Sequence, residues 1–162
     1  MHALAAAGTA SGPAAGTAAI ARALAPRVEA LMTRTKPPDW EARHACLYYA
    51  LSGQYLLARA GIEATLVTGQ VSFAPDTPRR HRICPHAWLE TPDYLIDYAI
   101  LPRRGEVAVI PQRWVAHDLR DVHPGSTAVL ALPRPRDPDH LRYLARHRAR
   151  FARILRESAG SE

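Results

Sequence analysis

Lys36-Pro37-Pro38-Asp39 and Gly61 fence off one segment of the chain, and that segment constrains the rest of the fold. Proline removes a backbone donor and pushes the residue before it out of the helical region. A glycine just past a helix takes up the left-handed turn that closes it. Between these stops runs WEARHACLYYALSGQYLLARA, apolar on most of its circumference. A helix of that kind is central and buried, so other layers must pack around it. Asp39 is the candidate N-cap, and Arg59 in the last turn suits the helix dipole.

Beyond Gly61 the chain reads as strands. The segment IEATLVTGQVSF is rich in β-branched residues and predicts a strand over 62–73. PDTPRRHR is a polar loop. ICPHAWLE and YLIDYAIL predict two strands joined at Thr91-Pro92-Asp93, a hairpin. Short strands at Val107–Ile110 and Ala128–Leu132 complete a sheet of four or five. Asp137-Pro138 is a cap followed by an N1 proline, opening a last helix to about Leu155. Helices, then strands, then a helix predict an α+β fold with an antiparallel sheet. At 162 residues the chain suits one domain.

The two ends differ in composition. Residues 1–25 hold twelve alanines interrupted by Gly, Thr, Ser and Pro, with no cationic start before an apolar run, so they do not read as a secretory signal. They are expected to form a flexible leader that turns helical near Ala18–Met32; a helix packed on the domain is the alternative. Residues 134–162 carry eight arginines against four acids, which places +4 of the net +6 there. The division expected is therefore a leader over 1–25, a core domain over 26–133 and a basic helix over 134–162. No apolar run approaches a membrane span. Two cysteines make no disulfide framework and favour a reducing, cytoplasmic setting.

GxxxxGK(S/T), GxGxxG, GxSxG and HExxH are all missing from the sequence. Walker-type hydrolysis, a dinucleotide cofactor, a hydrolase serine and a zincin site lose their usual supports.

Cys46, His86 and Asp97 supply a different chemistry. A thiol attacks as thiolate, and at an unperturbed pKa of about 8.5 little of it is ionised at neutral pH. A neighbouring imidazole takes the proton, and a carboxylate holds that imidazole's tautomer and orientation. Strand alternation places His86, Trp88 and Glu90 on one face. Asp97 joins that face if the hairpin loop is even in length; an odd loop would turn it away and bring Asp93 or Asp118 into consideration. Cys46 gains from the helix N-terminus only if Trp40–His44 precede the helix, and that arrangement is preferred. An oxyanion needs donors as well, for which the Cys46 N–H is one candidate and Trp40, His44 or Gln70 another. Each residue has an ordinary alternative: a small core cysteine, a satisfied core histidine, a turn-capping aspartate.

The run from Cys46-Leu through Leu-Val-Thr-Gly69, then His86-Ala-Trp-Leu-Glu90 and Tyr94-Leu-Ile-Asp97, resembles the transglutaminase-like superfamily. In its short form it is most similar to the lasso-peptide B-type leader peptidases, although the Ser72–Pro85 join is longer and more basic here. The resemblance covers about residues 40–100. It implies a papain-like core with Cys46 as nucleophile, His86 as general base and acid, and Asp97 as orienting carboxylate. Trp40, His44, Gln70 and Trp88 would line the substrate or oxyanion site. It further implies a peptide or amide substrate, with a precursor peptide and a partner biosynthetic enzyme as companions. Such chemistry uses no cofactor and no membrane. The cationic helix would lay Leu141, Leu144, Phe151 and Leu155 on the domain in the expected packing.

Two other readings compete. His81, Cys84 and His86, with Cys46, offer zinc ligands, but the spacing lacks separated pairs and no metal is expected. Arg142, Arg146, Arg150 and Arg153 share one side of the last helix, a face that could meet an acidic partner or nucleic acid as a non-enzymatic binding module. A solvated surface is the simpler explanation. No RNP-type motif favours nucleic acid.

Overall fold

Alanine is the strongest helix former, and the alanine-rich start folds accordingly. In the computed structural model, which describes residues 13–38, 45–73, 82–99, 106–123 and 127–160, helix α1 spans Pro13–Thr35. Ala18, Ala21, Ala25, Val28 and Met32 are all buried in the main core, against helix α2. The flexible leader is therefore corrected over 13–25. Small side chains at helical spacing let a second helix approach closely, so this stretch packs. Residues 1–12 lie outside the described residues.

Helix α2 spans Ala45–Arg59, and seven consecutive residues, Leu47–Gly53, are buried, as a central helix requires. Gly61 closes it with φ +81°, the left-handed conformation that favours glycine. The expected cap Asp39 lies outside the described residues.

The sheet has six strands: β1 Thr65–Ser72, β2 Arg82–Glu90, β3 Tyr94–Asp97, β4 Ala108–Pro111, β5 Val115–Ala116 and β6 Val129–Pro133. Their order is β4-β3-β2-β1-β6-β5. All neighbours are antiparallel except β5 and β6, which pair in parallel through Val115↔Val129 and Ala116↔Leu130. The sheet is thus mixed, with one strand beyond the expected four or five. A two-residue edge strand leaves no hydrophobic period to read.

Both faces of the sheet are covered. Ala87, Leu89, Ile96 and Tyr98 pack with α1 and α2; Trp88, Leu95, Val71, Val129 and Ala131 form a second cluster. Gly53 shows how closely α2 sits on the first face. A Cβ there would stand 2.6 Å from Tyr98 Cδ2 and 3.0 Å from Leu89 Cδ1. Helix α2 thus covers the face of Ala87 and Leu89, not that of Trp88. Helix α3, Pro138–Ala159, packs on the same side of the sheet as α1 and α2, its start capped by Asp137 accepting from the His140 N–H at 2.8 Å. Phe151 is its buried anchor, meeting Tyr48 and Tyr55 edge-on.

Candidate active site

The β2–β3 hairpin decides where His86 and Asp97 meet. Its pairs are Leu89↔Ile96 and Glu90↔Leu95, and the Thr91 N–H closes on the Tyr94 carbonyl at 2.9 Å around a two-residue loop, Pro92-Asp93. The loop is even, so alternation sends His86 and Asp97 to one face. His86 Nε2 stands 2.6 Å from Asp97 Oδ2. The other carboxylate oxygen accepts from the Ala99 N–H at 2.9 Å, so both oxygens of the fully buried Asp97 are engaged. Asp93 sits in the exposed turn, and Asp118 pairs with Arg120.

Burial alone would lower the basicity of His86. The Asp97 charge and hydrogen bond outweigh it, the Cys46 thiol adds its own hydrogen bond, and the imidazole pKa is raised to about 10. Asp97 occupies Nε2, and the Cys46 thiol is hydrogen-bonded to the same ring. His86 stands past the last β2–β3 pair and beside the register shift of β1 and β2, opposite Gly69, which presents no side chain. Cys46 is the second residue of α2, half-buried, and in no disulfide. The three residues come from a helix start and two adjacent strands.

Behind the imidazole, Trp88 is 1% exposed and stacks on His86 with ring centroids 6.3 Å apart. Its indole N–H donates to Glu90 Oε1 at 2.8 Å. The expected substrate-facing role of Trp88 is corrected: its ring faces the second core and is absent from the cavity wall. Gln70 does line the cavity. Trp40, His44 and His81 lie outside the described residues, as does the Cys84 side chain. Among the described residues no cluster of three metal-ligating side chains occurs.

In front of Cys46 opens a cavity of about 620 Å³. Leu47, Ala87, Leu132, Pro133 and Tyr143 give it an apolar wall, with Thr68, Gln70 and His140 as polar points. Thr68 Oγ1 and His140 Nε2 are 2.6 Å apart. Burial and the Arg134 charge hold His140 below the usual imidazole range. Burial, and then Cys46 and Tyr48, push the Tyr143 phenol up. Thr68, His140 and Tyr143 escaped the sequence reading. Thr68 shares strand parity with Gln70, so alternation could have found it; the α3 residues reach the cavity only through tertiary packing.

The basic face of α3 is also redistributed. Arg150 turns inward, donating to the Thr35 carbonyl at 2.6 Å with its guanidinium 5.6 Å from the Tyr48 ring centroid. Arg142 pairs with Asp139, Arg153 lies 3.9 Å from Glu157, and Arg146 is exposed. A uniform stripe of four free arginines is therefore corrected. Leu141, expected in the apolar stripe, is 45% exposed, while His140, Tyr143 and His147 face inward with Phe151. No helix among the described residues is long and apolar enough to cross a membrane.

Residues 1–110 match the family model of the transglutaminase-like superfamily, a span that holds Cys46, His86 and Asp97 and stops before β6 and α3. No curated protein and no solved structure matches the chain. A match over more than half of the residues, with the mixed sheet and its central helix in place, puts the chain in the transglutaminase-like superfamily, whose members are usually cysteine-dependent hydrolases and acyl transferases.

Proposed function

We propose that this protein is a cysteine-dependent peptide or amide hydrolase, or acyl transferase, working through Cys46, His86 and Asp97. One observation carries the reading: a buried imidazole with a carboxylate on Nε2 and a hydrogen bond to the Cys46 thiol. His86 already holds the proton drawn from Cys46, and the sulfur attacks the substrate carbonyl as thiolate. The leaving amine then receives that proton as the C–N bond breaks, and an acyl thioester remains on sulfur. Water or a second amine cleaves the thioester, with His86 taking its proton and keeping it as the Cys46 sulfur departs. Asp97 holds the ring and offsets its positive charge throughout. The Cys46 backbone N–H, in the first turn of α2, and the Gln70 amide in the cavity wall are the candidate oxyanion donors, each worth about 3–4 kcal/mol when well placed.

The sequence likeness to leader peptidases makes a precursor peptide the preferred substrate, processed beside a partner biosynthetic enzyme in a reducing compartment that keeps Cys46 out of a disulfide. Iodoacetamide labelling followed by mass mapping tests the chemistry. Cys46 should alkylate well below the pH of an ordinary thiol, about 8.5, and His86→Ala should remove that low-pH reactivity. Equal, slow labelling of Cys46 in both proteins would overturn the nucleophile.

A further inference from the structure

The cavity at Cys46 does not end at Tyr143. It meets a second depression along β1, β6 and α3, and Thr68, Pro133, Arg134 and His140 line both. The character changes across that seam. The first chamber is apolar beside the thiol, with Arg134 and Asp139 as its charged lining; the second holds no acid among the described residues and is rimmed by Arg134, Arg136 and Arg148 over Leu66, Leu144 and Ala145.

These guanidiniums are differently engaged. Arg134 shares its charge with Asp137 at 3.3 Å, on the exposed rim. Arg148 donates to Gln54 Oε1 at 3.1 Å, a neutral amide that orients the guanidinium and leaves its charge intact. Arg136 is exposed beside them. The net result is a positive subsite continuous with the chamber that holds the thiol.

We propose that this second chamber is a specificity subsite for an acidic side chain of the substrate. The occupant is an extended peptide with an apolar residue in the Cys46 chamber and a Glu or Asp farther along. The proposal rests on the enzyme reading above and adds the substrate's pattern to it. Spacing follows from α3: Arg148 lies eight residues after His140, at the seam, which is about 12 Å along a helix axis. Extended chain covers about 3.3 Å per residue. The acid therefore stands two to four positions from the apolar residue, the nearer limit serving Arg134 and Arg136. A guanidinium rather than an ammonium suits this task, because its planar fork meets a carboxylate with two hydrogen bonds.

Octapeptides of alanine carrying one leucine test this, with a Glu or a Gln placed in turn at each position on either side. Each serves as protector of Cys46 against iodoacetamide in the intact protein. At one position, two to four residues from leucine, the Glu peptide should protect at about tenfold lower concentration than its Gln twin, about 1.4 kcal/mol. The advantage should shrink with salt and fall below about twofold in the Arg136→Gln/Arg148→Gln double variant. The unprotected labelling rate should not change in that variant, which shows that the site is intact. Equal protection by Glu and Gln at all positions overturns the subsite. So does an advantage that survives the double substitution, or heparin protecting through the same arginines while the peptides do not. A Cys46 that labels no faster than an ordinary thiol counts instead against the enzyme reading, while the protection ratio still reports on the subsite.

Discussion

His86 Nε2 and Asp97 Oδ2 are 2.6 Å apart, from two strands of one hairpin, with side chains at 2% and 0% exposure. A buried pair of this kind offers little latitude, because removing either partner leaves the other's polar atom without water or protein to meet it. Asp97 answers two donors, the His86 ring and the Ala99 N–H, with its two oxygens.

Asp97→Asn breaks that symmetry. An amide has one accepting oxygen, so its NH2 must face one of the two donors. The expected cost is about 1–3 kcal/mol in urea unfolding, together with loss of low-pH alkylation at Cys46. A variant with wild-type stability and wild-type labelling would show that Asp97 does not orient the imidazole.

The raised His86 pKa sets a pH window for stability. The folded imidazole holds its proton more tightly than the unfolded one, at about 10 against 6.5. Its contribution is therefore complete below about pH 6.5 and disappears as pH climbs through 10. Urea midpoints should fall across that range in the wild type more steeply than in His86→Asn. Parallel pH curves would contradict the protonated ring.

Gly69→Ala should strike the sheet rather than the thiol. A Cβ at that position would lie 2.0 Å from the Leu132 carbonyl oxygen and 2.8 Å from the Arg134 N, both backbone atoms of the neighbouring segment. β6 must shift, at a cost of about 3 kcal/mol or more, and thermal unfolding measures it. The cavity wall at Leu132 and Pro133 moves with the strand, so peptide binding should weaken as well.

Two arginines of α3 should behave oppositely. Arg150→Gln removes a guanidinium that closes the end of α1 at Thr35 and lies over Tyr48, and a loss of about 1–3 kcal/mol is expected. Arg146→Gln, on an exposed position, should stay within about 0.5 kcal/mol. Denaturant midpoints of the two single variants decide it.

The parts that could be read from sequence were those governed by short-range rules. Alternation and a two-residue turn are enough to bring His86 onto the face of Asp97, and the stop at Gly61 ends α2. Other features depend on packing. Residues 13–25 look like a linker because alanine and glycine carry little hydrophobic pattern, yet small side chains are what the close α1–α2 contact accommodates. Trp88 looks substrate-facing from its place beside His86, whereas its neighbours Val71, Leu95 and Val129 hold it in the second core. The wall formed by His140 and Tyr143 depends on where α3 docks. Arg150 looks solvent-facing on a helical wheel because the wheel does not know that the end of α1 lies above it.

The sheet order gives the molecule a timetable. β1 lies between β2, which comes soon after it in the chain, and β6, which arrives some sixty residues later, from Val71 to Ala131. During synthesis, Cys46, His86 and Asp97 have all been made while one flank of β1 is still bare and the chamber lacks Leu132, Pro133 and Tyr143. A nascent chain therefore holds the proposed reactive groups before it holds the wall of the cavity proposed to select a substrate for them. On the proposed reading the late strand and helix act as a safety catch in reverse: completing the chain encloses a thiol already in place.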